Sequence, residues 1–143
     1  MSNVRSHVPH KLTFVKQLAV VDDDRYINDC CIGGDLVLDQ LLPSLRITYE
    51  DLQSNQEDWG WFAWFEQNRV KLAIDVFTED AESGEFCIHL TSRVPRLLLG
   101  AKVQDTPELE GLKSLVADKL AAWPVAALTI SRTDHEYNPP GET

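Results

Sequence analysis

The residues best suited to chemistry are Asp75, Cys87, His89 and Thr91. A carboxylate beside an imidazole is the usual way to orient a general base. A thiol or hydroxyl on the same surface would supply a nucleophile. Asp75 falls in RVKLAIDVFT (69–78), and the other three fall in EFCIHLTSRV (85–94). In one antiparallel register Asp75 lies directly opposite His89; in another, two residues away, it faces Cys87. Cross-strand Asp–His pairs serve more often as structural contacts than as catalysts. Asp75 and His89 are therefore weak catalytic candidates.

Other chemistry finds little support. Cys30-Cys31 lacks a spaced second pair, and the four histidines form no ligand motif, so no metal site and no cofactor is expected. Asp22-Asp23-Asp24 lacks the Gly and distal Glu of a calcium loop. It reads more simply as a helix start, where Asp caps free backbone N–H groups. Gly33-Gly34 is no phosphate cradle, because no strand leads into it and no Lys or Ser/Thr follows in the required place. The nucleophile elbow, the dinucleotide fingerprint and the P-loop are all absent.

Three strands position the candidate pair: Trp59 to Glu66, Arg69 to Thr78, and Glu85 to Val94. Alternation puts successive side chains on opposite faces. A two-residue loop at Gln67-Asn68 would place Phe65 opposite Val70, Ala63 opposite Leu72, Trp61 opposite Ile74 and Trp59 opposite Val76. Phe86, Ile88 and Leu90 continue that dry face. The second face is mixed. It carries Phe62, Trp64, Lys71, Ala73, Asp75, Phe77, Cys87, His89, Thr91 and Arg93. Either another part of the chain covers it or it is a contact surface. Phe62, Trp64, Phe77, His89 and Arg93 are the binding candidates. Trp64 has two readings: a cation–π contact with Lys71 across the hairpin, or an interface anchor. Arg93 and Arg96 would suit an anion or simply be solvated.

Around this meander the pattern predicts an α+β domain over 11–133, between a disordered N-terminus (1–10) and a loose tail (134–143). KLTFVKQLAVV (11–21) leans to strand. Ile27, Cys30/Cys31, Gly34, Leu38, Leu41/Leu42 and Leu45 recur at helical spacing. Gly33-Gly34 interrupts them, leaving one helix or two, the second capped by Asp35 and running to Pro43. RITYEDLQ (46–53) alternates as an edge strand, and SNQED (54–58) reads as a turn. Pro95 should end the third strand, and RLLLGAKV (96–103) is a further short strand or an edge segment bulged at Gly100. Thr106 caps a helix with Pro107 at its first position, and Leu109, Leu112, Val116, Leu120 and Trp123 form its apolar stripe. VAALTISRT (125–133) is the final strand. The sheet is expected to be mainly antiparallel, with four to six strands and helices packed on one face, the long one covering Trp59, Trp61, Ile74 and Ile88.

At 143 residues, with 43% hydrophobic and 25% charged residues, the chain fits one globular domain. The net charge of −10 argues against nucleic acid, which needs a basic surface. There is no apolar run of the roughly 18 residues that a membrane span needs, and no signal-peptide core. A cytoplasmic location is expected, in keeping with three cysteines that suggest no disulfide framework. A leading helix, an antiparallel meander, a long helix and a last strand in a small acidic chain resemble secretion chaperones and bacterial immunity proteins. The likeness is one of size, charge and element order, and it assigns no residues. The expected function is a non-enzymatic protein-interaction module, as a homodimer, a partner-binding protein or a subunit of an assembly. The acidic loop 78–85 would steer a basic partner. The alternative is a small-ligand binder or enzyme with a pocket over Asp75 and His89.

Overall fold

The structure is a computed structural model and describes residues 9–20, 23–98 and 100–133. The expected loose tail (134–143), residues 1–8, Val21 and Asp22 lie outside the described residues. In chain order the elements are β1 (His10–Val15), α1 (Gly34–Thr48), β2 (Gln53–Glu57), β3 (Gly60–Gln67), β4 (Val70–Asp80), β5 (Glu85–Arg96), β6 (Gly100–Val103), α2 (Pro107–Ala122) and β7 (Ala126–Arg132). The strands form one sheet ordered β2-β3-β4-β5-β1-β7, with β6 beside the far end of β5. Every pairing is antiparallel. The fold is α+β, with a meander at its centre and a long helix followed by a last strand.

Among the described residues seven strands exceed the expected four to six, because β2 lies in the polar stretch read as a turn. Its side chains hold it in place. Gln56 Oε1 accepts from the Ile27 backbone N–H at 2.8 Å, and Gln56 Nε2 donates to the Arg25 carbonyl at 2.9 Å. RITYEDLQ is not an edge strand. Its first residues complete α1, which passes through Pro43. Pro43 and Asp39, whose carbonyl loses its usual N–H partner to the proline, both lie on the exposed side of that helix. The helix begins behind Gly33, whose φ of 84° suits a residue without a side chain. Asp35 is therefore in the first turn rather than at the cap. Asp23 opens only a single 3-10 turn, Asp23–Arg25, and not an α-helix. Cys30 and Cys31 lie in a second such turn, Asp29–Cys31, with Cys31 buried and Cys30 exposed.

Two strand boundaries also move. His10, placed in the disordered N-terminus by sequence, is the first residue of β1 and is buried. β5 runs through Pro95 to Arg96. Gln104 N–H bonds the Ser92 carbonyl, which marks Ser92 as a bonded position facing β6. Alternation then makes Pro95 opposite Ala101 a non-bonded position, where its missing N–H costs nothing.

Both helices pack on the dry face. Leu12, Ala63, Leu72, Ile74, Val76, Ile88 and Leu90 lie under Leu41 and Leu45 of α1 and Leu109, Leu112 and Leu120 of α2. Full burial of each Leu or Ile contributes about 1.5–3 kcal/mol. Thr106 caps α2 by accepting from the Leu109 N–H at 3.1 Å. Thr106→Ala should lower stability by about 1 kcal/mol, read as a shift of the urea midpoint at constant slope. No helix among the described residues is long and apolar enough to cross a membrane.

Candidate functional site

The hairpin between β3 and β4 turns at Asn68-Arg69, both with positive φ (53° and 68°), one residue later than expected. The register shifts by two, so every side chain keeps its face but changes partner. Phe65 faces Leu72, Ala63 faces Ile74, Trp61 faces Val76 and Trp64 faces Ala73. Lys71 is therefore opposite Glu66 rather than Trp64, and the cation–π reading of that pair falls away. Trp59 leaves the core altogether. It sits in the two-residue turn between β2 and β3 and swings to the mixed face, 40% exposed.

β4 and β5 pair with Asp75 directly opposite His89 and Phe77 opposite Cys87. Reading across the sheet on the mixed face gives one row of Phe62, Asp75, His89 and Lys11. The next row is Trp64, Ala73 and Thr91, and the next is Glu66, Lys71 and Arg93. Ala73 has almost no side chain, so the middle of the second row is low between tall neighbours. None of the mixed-face residues of β3, β4 and β5 belongs to the core cluster that the helices cover.

The result is a trough made of two adjoining recesses. One, of about 530 Å³, is lined by Trp59, Phe62, Trp64, Lys71, Ala73, Asp75, Thr91 and Arg93 among others. The second, of about 540 Å³, is lined by Cys30, Trp59, Asp75, Phe77 and His89. Trp59 and Asp75 belong to both. Trp59, Phe62 and Trp64 form a shelf along one side, with ring centroids 5.6 and 4.8 Å apart in succession. Trp64 is 39% exposed. Phe77 and His89 meet at 5.1 Å in the second recess. All five sequence-predicted binding residues thus line one trough: Phe62, Trp64 and Arg93 in one half, Phe77 and His89 in the other. Trp59 and Cys30 join them unpredicted, because turn residues escape any alternation rule.

The electrostatics of the centre argue against nucleophilic chemistry at neutral pH. Burial, helped by Glu79, pushes the Cys87 thiol up to about 12. Burial, helped by Lys11, pulls the His89 imidazole down to about 4. Cys87 Sγ and His89 Nε2 are 3.8 Å apart, yet the pair holds a thiol and a neutral ring rather than a thiolate and a strong base. Effective general bases titrate near the working pH. Asp75 is raised to about 6 by burial, partly opposed by Arg93. At neutral pH it is a carboxylate largely shielded from water between Phe62 and His89, with Arg93 near enough to act on it. That arrangement is suited to receiving a cation or an N–H donor.

No family model, no curated protein and no solved structure matches this chain.

Proposed function

We propose that this protein is a binding module that receives an extended segment of a protein partner in the trough across β3, β4 and β5. The observation that carries the proposal is the pair of recesses joined through Trp59 and Asp75 on the sheet face away from both helices. Aromatic shelves with half-exposed tryptophans are the usual anchors of interface hot spots. Asp75 at the junction favours a basic or N–H-donating group. A net charge of −10 draws such a partner in and repels acidic ones. A chaperone-like or immunity-like role, or that of a subunit in an assembly, belongs to this reading. So does self-association, if the segment comes from a second copy.

A second reading, a small-ligand binder, is favoured by the recess over Asp75, Phe77 and His89. Its size falls within the usual range for small-molecule sites, roughly 300–1,000 Å³. The two readings separate on one experiment. The purified chain and its Phe62→Ala/Trp64→Ala variant are each used as bait in native lysate, and their masses are followed by light scattering. A stoichiometric protein or a dimer that is present with the parent chain and at least about tenfold depleted with the variant supports the module. Equal capture by both sinks the trough as its contact. A monomeric parent that carries no protein moves the assignment to the small-ligand reading.

A further inference from the structure

Away from the trough, β1 and the start of α2 bring His10 up against Asp105 and Glu110, which lie far from it in sequence. His10 is 2% exposed, and neither of its ring nitrogens has a hydrogen-bond partner among the described residues. A buried polar ring left unpaired costs free energy and calls for an explanation. Its Nε2 points at Glu110 Oε2 from 3.6 Å, too far for a hydrogen bond. One ligand atom from each of His10, Asp105 and Glu110 lies within 4.8 Å of the other two. We propose that these three residues bind a divalent transition-metal ion of the zinc class, with water completing the coordination.

The donor set is right for such an ion: one imidazole nitrogen and two carboxylate oxygens. Bonds of roughly 2.0–2.2 Å around a tetrahedral ion put neighbouring ligand atoms roughly 3.4 Å apart. His10 and Glu110 already stand close to that separation. Asp105 and Glu110 are both about half exposed, so their side chains can swing to close the remainder. Each carboxylate is also held from its other side. Arg132 Nη2 donates to Asp105 Oδ2 at 2.8 Å, and Lys113 Nζ donates to Glu110 Oε1 at 2.6 Å. At Glu110 this orients Oε1 and leaves Oε2 on the His10 side, and Asp105 is anchored by Arg132, as outer-shell partners anchor the carboxylates around a bound metal. The bound ion would pin β1 to the head of α2.

The test is calorimetric titration of the full chain with Zn²⁺, repeated with Co²⁺ for its visible absorption. One equivalent should bind to the parent chain, with the absorption of a low-coordinate nitrogen–oxygen site. Glu110→Gln and Asp105→Asn, both on the surface, should each weaken binding by at least the roughly tenfold that losing an outer-shell partner already costs. His10→Ala should abolish it, and if that variant fails to fold the two surface variants decide. No binding by the parent, or unchanged affinity in both surface variants, would overturn the site.

Discussion

Asp75→Asn is expected to stabilise the protein at neutral pH by about 2–3 kcal/mol, and the gain should vanish near pH 4. In the folded chain burial holds Asp75 near 6, above its ordinary value of 3.8. Between those values the folded state keeps a proton that the unfolded state has released. Stability from this group is therefore fully present below the unfolded value and is lost as pH rises through 6. His89 runs the other way. Its folded value of about 4 lies below the ordinary 6.5, so the unfolded chain takes up its proton first as pH falls, and stability is lost between those values. The two effects are similar in size and opposite in sign. The parent chain should show a shallow pH dependence from these two sites. The Asn variant should show the unmasked His89 loss on acidification. Urea denaturation of both proteins at neutral pH and near pH 4 checks this. An Asn variant less stable than the parent at neutral pH would mean that Asp75 is already compensated within the chain. The trough would then lose its central acceptor.

Gly60→Ala should destabilise the protein by about 3–5 kcal/mol. Gly60 has a φ of 152°, and a Cβ there would be driven into the Val76 carbonyl oxygen and against Phe77. The close approach is what lets the chain turn from β2 into β3 and carry Trp59 over to the trough. Neither contact can yield cheaply, because one is backbone and the other belongs to a β4 residue whose ring packs on His89. Gly111→Ala is the matched control. It lies in α2 with nothing within 4 Å of the added atom, and it should stabilise by up to about 1 kcal/mol. Urea midpoints of the two variants should move in opposite directions. If Gly60→Ala were as harmless as Gly111→Ala, the packing of this turn would be wrong.

The parts of the fold legible in the sequence are those where periodicity and burial agree. α2 carries Leu109, Leu112, Val116 and Leu120 on one stripe behind Thr106 and Pro107, and all four are buried. The dry face of the meander was legible for the same reason. The pairing within it was not, because turning at Asn68-Arg69 instead of Gln67-Asn68 shifts the register by two and leaves Trp61, Ala63 and Phe65 on the same face. β2 was illegible because its stability comes from Gln56 and Asn28 reaching other segments, not from an apolar pattern. The continuation of α1 past Pro43 was hidden because RITY alternates as well as it spirals, and Tyr49 then packs on Phe65 with ring centroids 4.4 Å apart. Of the trough, the strand residues could be read from alternation and Trp59 could not. Nothing in the linear sequence joins His10 to Asp105 and Glu110, since strand pairing and helix docking bring it to them.

Hydroxyl-radical footprinting reads whether the trough is the contact surface. The chain isolated with what it carries from its own cell extract is compared with the chain alone. Exposed apolar residues elsewhere, Ile47, Leu97 and Leu98, are internal competitors for any contact. The trough account predicts that Trp59 and Trp64 lose reactivity in the complex while those three stay open. Protection of Leu97 and Leu98 with Trp59 and Trp64 still reactive would contradict it.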